Sequence, residues 1–292
     1  MKLPHFQHFA PKSIEEASTL LRRHGAEAYP LSGGTDLLVK MKQRRLVPGY
    51  LVNLKTIPGL DYIRYDEADG LRIGALTTIQ TIKNSTVVKR NFRVLNEAAG
   101  VESSVQIRNR ATIAGNIANA SPAADAPLAL LTLGARVILA TTDARRELLL
   151  EDFCTGPGRT RLQPGELICE VHVPRPEAGS GGAYLKHAVR RNDIAIVSVA
   201  VWLTLVDGRC TDAHIGLGSV APTAVRARKA EETLKGQEII DDVIKAAAEA
   251  ATREASPIDD IRAYAQYRAM ALRAAVEQTI TAAARDAKLG GI

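Results

Sequence analysis

The chain has 292 residues, 46% of them apolar and 24% charged, with aromatics at only 4%. That is the composition of an ordinary soluble globular protein with a mostly aliphatic core, long enough for two or three domains. Lys and Arg exceed Asp and Glu by 38 to 32, a modest surplus that reads as a solvated surface, not a nucleic-acid-binding face.

The densest basic stretch, Lys40–Arg45, holds four cations in six residues but lacks the interleaved aromatics that stack on single strands. Cys154, Cys169 and Cys210 are odd in number and 15 and 41 residues apart. Those spacings argue against a disulfide framework and against a zinc or iron–sulfur site in this chain, and they fit a reducing, cytoplasmic setting. The N-terminal MKLPHFQHFAPKS has no apolar core of a signal peptide. The longest apolar run, Ile194–Val206, is too short to span a bilayer and reads as a buried strand.

In chain order, residues 13–24 have helical spacing. Ile14, Ala17, Leu20 and Leu21 share a face, Ser13 and Glu16 can form a capping box, and Gly25 stops the helix. A short strand around Tyr29–Leu31 runs into Ser32-Gly33-Gly34-Thr35-Asp36, and a second helix is expected over Leu37–Gln43. Strand, glycine turn, helix start is a combination that leaves backbone N–H groups free and pointing one way. It is neither an ATP-binding P-loop nor a GxGxxG fingerprint.

Residues 50–57 and 70–79 read as strands flanking an acidic, turn-rich stretch, with Thr77–Thr78 opening the next helix. Residues 105–139 repeat the earlier logic: a hydroxyl (Thr112), a small-residue turn (Ala114-Gly115), polar groups (Asn116, Asn119, Ser121) and an acid (Asp125). Pro127 sits in the first turn of a helix over Leu128–Leu133, and a strand follows. Residues 165–174 alternate as a strand, and the Gly/Ser-rich 175–182 reads as a flexible domain boundary. Three strand-like runs come next, with a tight turn at Val206-Asp207-Gly208. Two alanine-rich helices, broken at Ser256-Pro257, close the chain. The fold class is α+β.

Two glycine turns with hydroxyls and helix starts can cradle one ligand bearing two phosphates, which makes a dinucleotide cofactor the economical choice. Each residue also has a plain structural reading. Lys186 can be a solvated strand lysine, Ile194 core, Asp125 a helix N-terminal charge, and Asn116 and Asn119 turn residues. His5, His8, His172, His187 and His214 show no metal spacing, and no histidine lies in either turn. Cys154 reads as a solvent-side thiol.

The stretches LSGGTDLLVKMK and RNRATIAGNIANASPAADAPLALLTLGA resemble the two FAD loops of the flavin subunit of molybdenum hydroxylases, the xanthine dehydrogenase and carbon monoxide dehydrogenase family. RIGALTT, PRP and APTAVRA fall in that family's order, and the resemblance covers almost the whole chain. It implies a two-subdomain FAD-binding fold of the vanillyl-alcohol-oxidase (PCMH) type over 1–57 and 58–176, and a C-terminal α+β domain, a three-stranded sheet with helices, over 177–292.

The resemblance implies non-covalent FAD, held by Leu31, Ser32, Gly33, Gly34, Thr35, Asp36 and Leu37 on one side. Ala75, Thr77, Thr112, Ala114, Gly115, Asn116, Ala118 and Asn119 stand on the other, with Asp125 as a cofactor-binding acid. Leu167 and Lys186 match positions lining the flavin ring, and Ile194 one stacked over a flavin face. Ala114 replaces a glycine of the family's TIGGN, which is tolerable only at negative φ. A cation such as Lys186 beside the ring would stabilise reduced flavin and tune its potential.

The partners implied are a molybdopterin-binding large subunit and a small subunit with two [2Fe–2S] clusters, in a dimer of heterotrimers. Electrons would leave FAD for an acceptor such as NAD or a quinone. The chain lacks the cysteine-rich insert of the benzoyl-CoA-type reductases, which argues against that branch. The alternative is a stand-alone FAD-dependent oxidoreductase of the same fold.

Overall fold

The computed structural model describes residues 2–289, built around three sheets and a small two-stranded ribbon. The first unit contains β1 (Gln7–Phe9), α1 (Ile14–His24), β2 (Ala28–Leu31), α2 (Leu37–Lys42) and β3 (Tyr50–Asn53). β3 pairs in parallel with both β1 and β2, so the chain winds through helical crossovers. Ser13 caps α1 by accepting from the Glu16 N–H. Glu16 closes the clamp on the Lys12 N–H at 2.7 Å, one residue beyond the capping-box position. The strand expected over 50–57 stops at Asn53, whose side chain accepts from Lys55 N–H and bends the chain into a 3-10 turn.

The middle unit has an antiparallel sheet of β4 (Ile63–Asp66), β5 (Gly70–Gly74), β6 (Arg136–Ala140), β7 (Arg145–Leu149) and β10 (Leu167–Val173), in the order β4-β5-β10-β6-β7. β4 lies in the stretch read as an acidic turn; it is an edge strand, where charge is tolerated and useful. The strand expected over 70–79 ends at Gly74, and Thr78 caps α3 (Ile79–Asn84). Helices α4 (Thr86–Asn91), α5 (Arg93–Val101), α6 (Val105–Arg108), α7 (Ile113–Ala118) and α8 (Asp125–Thr132) follow. Helix α9 (Leu150–Phe153) and the ribbon β8 (Cys154–Gly156) and β9 (Arg159–Thr160) complete the unit. Leu95, Ile113, Leu128, Leu71 and Val171 share its core.

The last unit pairs β11 (Ser180–His187), β12 (Val197–Val206), β13 (Arg209–Gly218) and a two-residue fourth strand, β14 (Val225–Arg226). Helices α10 (Arg228–Leu234), α11 (Asp241–Glu254) and α12 (Ala265–Lys288) cover one face of this sheet. Strand β12 is buried on both sides. Val199, Val201 and Leu203 meet the C-terminal helices, while Ala200 and Trp202 join the middle unit's core. Two covered faces explain why this strand reads as one continuous apolar run. The run does not begin buried, however: Ile194 is 62% exposed. Buried Arg268 donates to the Ile196 and Ser219 carbonyls and to Asp260, tying the break between α11 and α12 to the sheet.

The Gly/Ser stretch is less of a linker than its composition implies. Ser180, Gly181 and Gly182 are buried strand residues, and a Cβ on Gly181 would collide with the backbone nitrogen of Ala287 on α12. The glycine is there for close helix approach. Gly181→Ala is expected to destabilise the chain by about 1–3 kcal/mol through overpacking, read as a lower urea midpoint with unchanged m-value.

Candidate cofactor site

Strand β2 delivers the chain to the first glycine turn, and α2 takes it away. Gly34 sits at φ +78°, where a side chain is strained. The N–H groups of Gly33, Gly34, Thr35 and Asp36 donate to no backbone acceptor among the described residues, and Asp36 makes no side-chain cap on α2. A run of free N–H groups through a turn of this kind is an anion-binding concavity. A Cβ on Gly33 would run into the carbonyl oxygen of Arg110, so the turn is pressed against the segment leading into α7.

That contact brings the two expected loops together. The Ser32 and Thr112 hydroxyls lie 2.6 Å apart, and Lys40 Nζ donates to Asn119 Oδ1 at 2.8 Å. Thr112 caps α7 by accepting from Gly115 N–H at 3.2 Å. Ala114 lies inside α7, with helical backbone, so its methyl meets the negative-φ condition. Ile113 N–H donates to Thr77 O, Ala114 N–H to Ala75 O and Asn116 N–H to Thr112 O. The second turn therefore spends its N–H groups inside the protein and offers side chains instead. Asn116 Oδ1 is buried without a partner among the described residues, a condition that costs free energy unless a donor fills it. Thr77 uses its hydroxyl on the Tyr62 backbone, and Ala118 is exposed.

Beyond the turns lies a buried charge cluster. Lys186 on β11 is not a solvated lysine: its side chain is 6% exposed, and Nζ lies 2.8 Å from Asp125 Oδ2. The same ammonium donates to Val101 O, and Tyr184 OH donates to Asp125 Oδ1 at 2.5 Å. Burial pushes the Asp125 carboxyl up while Lys186 and Tyr184 pull it back. Glu102, at the end of α5, has an oxygen 3.4 Å from Ala126 N–H in the first turn of α8. Burial, then repulsion from Asp125, pushes its carboxyl up to about 8, with a smaller push from Asp36. That last influence ties the cluster to the first glycine turn.

Leu167 stands elsewhere, packed with Leu54, Leu76 and Ala140 between the first and second sheets. Ile194 belongs to an exposed loop and is not core. Cys154 is half-buried against the middle core with its thiol pushed up by burial, which corrects the solvent-side reading. Among the described residues no His, Cys, Asp or Glu cluster could hold a metal, and no helix is long and apolar enough to cross a membrane. Tyr184 and Glu102 escaped the sequence reading. Tyr184 was accessible, since i and i+2 on a strand share a face and Lys186 is two residues on; nothing local marks Glu102.

A parallel three-stranded unit and an antiparallel five-stranded unit joined through an anion-binding turn fit a protein that binds a phosphate-bearing cofactor. Residues 4–176 match the FAD-binding domain in molybdopterin dehydrogenase, and residues 182–283 match the CO dehydrogenase flavoprotein C-terminal domain. The chain therefore belongs to the FAD-binding subunit family of molybdenum hydroxylase-type dehydrogenases, and it is an oxidoreductase component with FAD as its cofactor.

The carbon monoxide dehydrogenase medium chain of Hydrogenophaga pseudoflava is 34% identical over 96% of this chain and 97% of its own. The 6-hydroxypseudooxynicotine dehydrogenase complex subunit alpha of Paenarthrobacter nicotinovorans is 35% identical over 99% of this chain and 97% of its own. The solved carbon monoxide dehydrogenase of H. pseudoflava superposes with a TM-score of 0.94 at 35% identity, covering 97% of this chain and 98% of that one.

Proposed function

We propose that this chain is the electron-transfer subunit of a heterotrimeric molybdenum hydroxylase. The FAD held by this chain would supply electron transfer from [2Fe–2S] clusters in a small subunit to an external acceptor such as NAD or a quinone. A molybdopterin-binding large subunit oxidises the substrate, the trimers pair as dimers, and the assembly works in the cytoplasm. The chain divides at 57/58 and 176/177.

The observation that carries this reading is the closure of the two turns across Ser32 and Thr112, with free N–H groups on one side and the unpartnered Asn116 Oδ1 on the other. In this reading Gly33, Gly34, Thr35 and Asp36 donate N–H groups to the pyrophosphate, and Leu31 and Leu37 flank it. Ala75, Thr77, Ala114, Gly115 and Ala118 wall the opposite side, and Asn116 and Asn119 supply polar side chains. Asp125 fixes Lys186, whose positive charge would bear on the flavin ring, with Leu167 and Ile194 as the apolar positions expected to line it. FAD would supply the one-electron to two-electron conversion; the chain's own residues would bind it, exclude water and set its charge environment.

The purified chain, or the complex co-expressed with its partners, is expected to be yellow and to release FAD on denaturation, read by absorbance and mass spectrometry. A colourless complex that refuses added FAD would overturn the assignment.

A further inference from the structure

The Asp125–Lys186 pair has a third ionisable member with no assigned work. Glu102 is 8% exposed, and its one hydrogen-bond partner among the described residues is the Ala126 N–H at 3.4 Å. The titratable groups that act on it come from three elements. Asp125 stands on α8, Lys186 and Tyr184 on β11, and Asp36 at the start of α2. Arg108 on α6 does not neutralise the carboxylate through its hydrogen bonds, since its guanidinium is spent on the Glu102 and Ser103 backbone carbonyls and on Gln80. Two buried carboxyls thus share one ammonium. Asp125 holds it at 2.8 Å with Tyr184 as a second donor. The acid left over is the one that cannot ionise cheaply.

We propose that Glu102 is a proton-holding positioning residue of the flavin site, whose proton keeps Lys186 committed to Asp125 at neutral pH and whose ionised form, at higher pH, couples the site's charge to the cofactor's redox state. The inference rests on the flavin reading of the site. When two electrons enter the flavin from a donor, negative charge arrives in the cluster's field. If Glu102 is ionised at that moment, its carboxylate takes one proton from solvent. Below its midpoint it already holds that proton, and nothing further is taken up.

The same proton has a consequence for folding. The carboxyl is raised from 4.5 to about 8 by folding. The folded state therefore binds more protons than the unfolded chain between those values, and stability declines as pH rises through that window.

The test is an infrared titration of the full-length chain with labelled glutamate, paired with potentiometry of its bound FAD. Wild type is expected to show a protonated-carboxyl band at pH 7 that vanishes near pH 8, and Glu102→Gln to lack it. Asp125→Asn is expected to keep Glu102 in place and to move its midpoint down by about one pH unit or more, because a like charge has gone. The wild-type midpoint potential should fall more steeply above pH 8 than below, by one extra proton per two electrons, and the Glu102→Gln slope should show no such break.

A wild type without the band, a band that survives in Glu102→Gln, or identical potential slopes would overturn the proposal, whichever variants fold well. A wild-type complex that carries no FAD would sink the flavin reading itself. The band would then still report the proton separately.

Discussion

Gly33→Ala is expected to weaken FAD binding by about 10- to 100-fold while leaving the chain folded. The added Cβ meets the Arg110 carbonyl oxygen and the Ala111 Cα, and both are backbone. Backbone cannot swing aside as a side-chain tip can, so the two turns must part. Overpacking of this kind costs about 1–3 kcal/mol, and 1.4 kcal/mol is tenfold in affinity. The parting falls on the Ser32–Thr112 contact, which spans the two turns. Gly34→Ala is a useful comparison. Its Cβ would approach only the side chains of Leu31 and Leu38, at 3.2–3.4 Å, so its cost is mainly the positive φ. Equilibrium titration with FAD, alongside circular dichroism, checks both. Equal, undiminished affinity in Gly33→Ala would remove the closed pair of turns from the binding site.

Much of this architecture is legible in the amino-acid sequence. The GGTD stretch is legible as a turn, because glycine, hydroxyl and acid between a strand and a helix favour one; its ligand is not, since such a turn taken alone is more often just a turn. The α1 cap and the β12 run are legible because capping and two-sided burial leave local traces. The helices over 86–108 were not, since elements of four to nine residues show too few turns for a period to emerge.

The charge cluster was illegible for a different reason. Lys186 and Asp125 are 61 residues apart and share no pattern. A lone lysine on a strand reads as solvated until its partner is seen. Composition also misled at 180–182, where serine and glycine suggested a linker and close packing on α12 was the actual demand. Likewise the second turn resembles the first in sequence, yet Ala75, Thr77 and Thr112 occupy its N–H groups. Only the hydrogen bonds distinguish a turn that offers donors from one that has used them.

Lys186→Ala is expected to be the most damaging substitution in the middle of the molecule. Both side chains of the pair are almost fully buried, at 6% and 5% exposure. Removing the ammonium leaves Asp125 with Tyr184 alone and Glu102 nearby, and breaking such a pair costs about 3–5 kcal/mol at neutral pH. The loss should depend on pH in a definite direction. Burial already raises the Asp125 carboxyl with Lys186 in place, and losing the ammonium raises it further, so the folded state holds that proton more tightly still. The variant's stability is then greatest in acid and falls as pH rises.

A second change isolates the charge from the packing. Lys186→Met with Asp125→Asn removes both charges and keeps most of the volume, so it should recover most of the lost stability. The double-mutant cycle should return a strong coupling. The flavin potential reports separately. A cation beside the ring favours the reduced, more negative cofactor, so Lys186→Ala should show a lower potential than wild type, and the double variant, which also loses the Asp125 carboxylate, a smaller drop without the stability penalty. A double variant as unstable as Lys186→Ala would mean that the ammonium is held for its shape and its bond to Val101, and not for its charge.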